Sequence, residues 1–142
     1  MANIIPYAFR GELFTGTHNF ASGGDSFKLA LYTANPYTTA STVYSSTTEV
    51  SSAGSSNYTT TGNALTGNAV AASTAVASCD FNDTEWTSAT FTAAFGAIYN
   101  YDQSDKLCVV LDFDGDKTAT NGTFKISFPN PSTPADAIIS MA

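Results

Sequence analysis

A chain of 142 residues with 43% hydrophobic content can bury a real core, and one domain spanning 1–142 is expected. That hydrophobic content disfavours a disordered chain, and with only 12% charged residues, a net charge of −7 and a pI near 4.2 the balance disfavours a nucleic-acid partner. The five basic residues, Arg10, Lys28, Lys106, Lys117 and Lys125, are scattered and form no basic stripe.

Ser and Thr supply roughly one residue in four, well above ordinary usage. A surface solvated by hydroxyls rather than charges suits packing against neighbours, because fewer charges are desolvated at a contact.

The start, MANIIPYAF, lacks the basic segment and the apolar run of about 7–15 residues of a secretory signal. No stretch approaches the ~20 apolar residues that span a bilayer. Synthesis in the cytoplasm and no membrane partner are the expectation, with the sequons at Asn57, Asn82 and Asn121 unused.

In chain order, residues 1–7 read as a short apolar arm. Positions 7–16 predict the one helix, from the i, i+4 spacing of Phe9 and Leu13 and a C-capping Gly16; Gly11 weakens it. A polar loop follows, with a turn at Gly23-Gly24-Asp25. Positions 27–33 alternate as a strand, Phe27, Leu29 and Leu31 against Lys28, Ala30 and Tyr32, and Asn35-Pro36 ends it.

Residues 37–67 are rich in Ser, Thr and Tyr and predict a long excursion. Val43-Tyr44, Glu49-Val50, Tyr58 and Leu65 are its anchors, with one or two short strands. Long ordered loops of this kind usually carry function. The Ala-rich run 68–79 is read as a strand, and 89–100 as another with a bulge at Gly96. The strongest pattern is LCVVLDFDGDKTATNGTFKISF, over 107–128. It predicts a hairpin, with Leu107, Val109, Leu111 and Phe113 on one face of the first strand, Phe124, Ile126 and Phe128 on the second, and the turn in DGDKTATNG. Pro129, Pro131 and Pro134 forbid a continuous strand, and 137–141 makes a last one. The predicted fold class is mainly β, an antiparallel β-sandwich of about seven or eight strands with one short N-terminal helix.

Candidate chemistry is thin. Asp112, Asp114 and Asp116 imitate a calcium loop, but Gly115 stands at position 4 and Thr123 at position 12, where that loop needs Gly at 6 and Glu at 12. A hairpin turn with solvated carboxylates is the favoured reading. His18 is the lone histidine and the sole candidate base for a Ser–His–Asp triad; a local hydrogen bond is favoured. Asp80, Asp83 and Glu85 precede the lone Trp86, an arrangement open to glycoside hydrolysis, to a sugar-binding platform or to a packed turn, with the turn favoured. Cys79 and Cys108 sit in apolar runs, and buried free thiols are favoured over a disulfide. Neither cofactor nor metal is expected.

The segments FRGELFTGTHNF, FKLALYTANPYTTAST, DTEWTSATFTAAFGAIYN and VVLDFDGDKTATNGTFKISFP, with the terminal AIISMA, together resemble small virion structural proteins of tailed bacteriophages. The resemblance covers most of the chain, least clearly in its Ser/Thr-rich middle. It implies no catalytic residues. It implies a capsid decoration or cement protein bound to the major capsid protein lattice at the capsid surface, oligomeric and most readily a trimer. A tail, neck or fibre component is the alternative, and a carbohydrate-binding β-sandwich module built on Trp86 the alternative of another class. The expected contact residues are Ile4, Ile5, Pro6 and Tyr7 in the arm, and Tyr37, Tyr44 and Tyr58 in the excursion.

Overall fold

A computed structural model describes residues 2–73, 75–129 and 137–141. The described residues are mainly β, in two antiparallel sheets with a sandwich-like arrangement and a single short α-helix. In chain order the elements are α1 (Tyr7–Phe14), β1 (Phe27–Tyr32), β2 (Asn63–Ala64), β3 (Ala69–Ala72), β4 (Ala77–Asp80), β5 (Thr84–Asn100), β6 (Lys106–Ile126) and β7 (Ile139–Met141). One sheet has the order β2-β1-β5-β6 and the other β3-β4-β7.

The predicted hairpin over 107–128 does not form. β6 runs unbroken through it, and β5 is its partner along the whole length, from Asn100↔Lys106 to Thr84↔Ile126. The residues that suggested a turn do take left-handed backbone: Asp114 at φ 55°, Gly115 at 97° and Asn121 at 47°. They absorb register shifts instead. Between Ala93↔Lys117 and Phe95↔Asp112 the ribbon takes up extra residues on β6, and Ser88 (φ 49°) lies in the shift between Trp86 and Ala89 on β5. Such bulges bend and twist a long ribbon without ending it. A further shift between Ile98 and Tyr99 leaves Cys108 without an opposite residue. Leu107 therefore joins Val110 in one cluster, while Val109 and Leu111 lie in the other, against the simple alternation expected.

Two further expectations change. The run 68–79 is two strands, β3 and β4, paired as a hairpin from Ala69↔Asp80 to Ala72↔Ala77. Gly96 pairs regularly with Leu111, and no bulge sits there. A Cβ at Gly96 would lie 3.0 Å from Phe113 and 3.1 Å from Leu29, so close packing explains this glycine. The helix and β1 form where expected, and Gly16 closes α1 with φ 68° and an N–H bond to Leu13 O. Pro129 lies beyond β6; Pro131 and Pro134 fall outside the described residues.

The four-stranded sheet is buried on both faces. Phe27, Leu29 and Leu31 of β1 join the main cluster with Phe9 of α1, Phe20, Phe81, Cys79 of β4 and Ile139 of β7. Ala30 and Tyr32 face a second cluster with Tyr37, Tyr99, Leu107 and Val110, against which Ile4 and Tyr44 pack. The excursion thus begins on one face and ends on the other, because Val50, Tyr58 and Leu65 belong to the main cluster.

Candidate functional site

Beneath α1 a polar cluster links four separate parts of the chain. His18 follows the helix, Glu12 projects from its last turn, Asn100 ends β5, and Lys106 and Cys108 open β6. Asn100 Nδ2 donates to Asp25 Oδ2 at 2.7 Å and to His18 Nδ1 at 3.0 Å. His18 Nδ1 is therefore an acceptor, and its Nε2–H donates to Glu12 Oε2 at 2.8 Å. Lys106 Nζ holds the other oxygen of Glu12 at 2.5 Å. Burial pushes the Glu12 carboxyl up, but hydrogen bonds from Lys106 and His18 outweigh it and hold the group below its ordinary value. Asp25 is likewise lowered: burial opposes, and the Asn19 N–H, Asn100 and Gln103 prevail.

Cys108 Sγ lies 4.0 Å from His18 Nδ1, so thiol, imidazole and carboxylate stand in the order of a nucleophilic triad. Spacing along the chain pairs His18 with serines and misses Cys108, which is remote in sequence and reads only as a buried thiol. The chemistry of the cluster does not follow its geometry. The His18 side chain and Cys108 are both 0% exposed. Burial drives the Cys108 thiol well above its ordinary value, the opposite of an activated thiolate. Cys79 is pushed up to about 12, again by burial first and by Asp80 second. Both cysteines are free. The cluster locks α1, the following loop and the β5–β6 junction together.

A second hub secures the excursion. Glu49 accepts from Tyr58 OH at 2.7 Å, Tyr44 OH at 2.5 Å and the Thr61 N–H at 2.7 Å. Tyr32 and Tyr37 share a hydroxyl contact at 2.7 Å over Ser45 O. Burial raises all four of these phenols. Tyr37 and Tyr58 are thus interior residues, 5% and 3% exposed, and cannot be surface contacts in the folded chain. Tyr44 is half-buried against the Tyr99 ring at 4.8 Å.

The N-terminal arm is also built into the fold. Ile4 bridges Val110 of β6 through a reciprocal pair of hydrogen bonds, 2.9 and 2.8 Å, and Pro6 is fully buried. Of the four expected contact residues in the arm, Ile5 and Tyr7 face outward, at 40% and 59% exposure. Tyr7 joins the excursion: its N–H donates to Thr39 O, and the Thr39 hydroxyl donates to its phenol oxygen.

Trp86 is 4% exposed, packed by Tyr58, Phe91 and Phe124, and offers no stacking face to a sugar. Asp83 pairs with Lys125 at 2.9 Å. Asp114 and Asp116 are exposed on the β6 bulge, and among the described residues no three His, Cys, Asp or Glu groups converge as a metal site would need. An open groove of about 630 Å³ runs beside β6, floored by Leu111, Phe113, Phe124 and Ile126. No family model, no curated protein and no solved structure matches this chain.

Proposed function

We propose that this protein is a non-enzymatic virion structural protein that binds the outside of a tailed-phage capsid lattice and stabilises it. The observation that carries this reading is how the side chains divide between inside and outside. The groups able to do chemistry, His18, Glu12 and Cys108, are enclosed and paired with one another. What the surface offers near the N-terminus is Ile5, Tyr7 and Val43, set among hydroxyl residues of the excursion. Apolar and aromatic side chains in a low-charge surround suit protein contact. The sequence resemblance to phage virion proteins supplies the partner.

The contact set narrows accordingly. Ile4, Pro6 and Tyr37 shape the face from within, and Ile5, Tyr7 and Val43 present it, whereas Tyr58 belongs to the main cluster on the other side of the sheet. Each contact is small, and attachment gains strength from the many equivalent positions of a symmetric lattice. Co-sedimentation with phage heads lacking the protein tests this. Saturation at a copy number set by the capsid lattice, with a rise in the heat resistance of the shell, is expected. Saturation at one ring per head would move the protein to the neck or tail, and no binding would overturn the virion reading.

A further inference from the structure

The C-terminal end of α1 carries an unburied aromatic beside an unfilled apolar cleft. Phe9 and Leu13 turn into the fold, and Phe14, the last helical residue, stands 93% exposed. It shares its outward face with Arg10, one turn earlier. The cleft holds about 110 Å³ and lies between α1 and the β3-β4-β7 sheet, lined by Phe9, Leu13, Phe20, Val70, Cys79 and Met141. Register explains its shape. Val70 pairs with Cys79 and Cys79 with Ile139, which sets that row against the helix. The next row, Ala72, Ala77 and Met141, reaches beyond it. Val70 and Met141, each 57% exposed, form the rim.

We infer that this end of the molecule is a self-association surface, in which Phe14 of each of two copies enters the cleft of the other. Three observations select a second copy as the occupant. The chain supplies both projection and recess, and Leu13 lines the recess that Phe14 adjoins, so a single two-fold axis satisfies both at once. Among the described residues, none that lines the cleft is charged. On a chain of net charge −7 it is a place where two copies meet with little repulsion. The sizes allow partial entry. A dry cavity of about 150 Å³ admits a benzene ring, and this smaller cleft is open on one side, so it seats part of the phenyl ring while Val70 and Met141 cover the remainder.

Two exposed phenylalanines, at roughly 150–250 Å² each, and an equal area of the surfaces they cover sum to about 600–1,000 Å², at or below the lower limit for a specific pairing. The dimer is therefore weak in isolation and strengthened wherever copies are held close together. The inference stands apart from the capsid reading, because it concerns two copies of this chain alone.

Sedimentation equilibrium over a wide concentration range tests it, with Phe14→Asp as the variant. Phe14 has almost no native contact, so the variant keeps the wild-type melting temperature. The wild type is expected to form a dimer with a micromolar Kd, and Phe14→Asp to weaken it at least 100-fold. A second test mixes a tagged Thr15→Cys chain with an untagged Val70→Cys chain under mild oxidation by copper phenanthroline. The mixed disulfide is expected, and adding Phe14→Asp to the tagged chain removes it. The native thiols, buried and pushed up, do not compete. A wild type that stays monomeric at millimolar concentration, an assembly of any number other than two, or association indifferent to Phe14→Asp would overturn the inference.

Discussion

Trp86 of β5 and Phe124 of β6 face each other across the ribbon, their rings 6.2 Å apart at 71°. The pair joins the beginning of one long strand to the end of the next. Tyr58 lies against Trp86 from the excursion, at 5.9 Å, and Phe91 closes the group. Loss of a buried aromatic leaves a cavity that the surroundings fill poorly. Trp86→Ala and Phe124→Ala are each expected to cost about 3–5 kcal/mol, read by denaturant unfolding. Phe124→Ala should also shift the emission of Trp86, the one tryptophan.

Gly62 sits at φ 77°, and a Cβ there would lie 1.9 Å from Leu29 O. The clash is with backbone of a central strand, so no rotamer relieves it. Gly62→Ala is expected to lose roughly 3 kcal/mol or more. By contrast Gly11→Ala, in exposed helix with open space around the added methyl, should stabilise α1 by about 0.5–1 kcal/mol. The two melting temperatures, moving in opposite directions, check both.

Glu12 and Asp25 are held below their ordinary values of 4.5 and 3.8 by the His18 cluster. A carboxyl with a depressed native value binds fewer protons folded than unfolded. Its stabilisation is complete above the unfolded value and disappears as pH falls through the folded one. Stability should therefore hold steady from neutral pH to about 5 and decline below about 4.5. Glu12→Gln should cost about 1–3 kcal/mol at pH 7 and flatten the acid limb. Melting curves across that window give the comparison.

Cys79 at about 12, and Cys108 above its ordinary range, predict thiols that ignore disulfide reagents in the native protein. At pH 8 neither should react with a thiol reagent until the chain unfolds, when both should. Rapid reaction of Cys108 in the native state, lost in His18→Ala, would show that the His18–Cys108 contact activates it.

The fold class and the two ends of the core were legible because period-two alternation survives locally in β1 and, in β6, from Val109 to Phe113 and from Phe124 to Ile126. The connection between those halves was not. Asp-Gly and Asn-Gly report tolerance of left-handed backbone, and bulges need that as much as hairpins do: Asp114, Gly115 and Asn121 have the predicted φ and the unpredicted role. The pairing of Asn100 with His18 and Asp25 depends on where β5 ends in space, which spacing along the chain does not encode. Tyrosines counted as surface contacts, Tyr37 and Tyr58, were drawn inside because Ser45 O and Glu49 satisfy their hydroxyls there.

The central claim is that the enclosed polar groups hold the fold and the outward side chains near the N-terminus bind the shell. Head binding at saturation, measured for Ile5→Ser/Tyr7→Ser beside His18→Ala, tests it most directly. The account predicts that the first variant melts within a few degrees of the wild type and loses most of its binding. The second melts clearly lower, yet its folded fraction binds as the wild type does. Full binding by Ile5→Ser/Tyr7→Ser, or loss of binding by correctly folded His18→Ala, would contradict the claim.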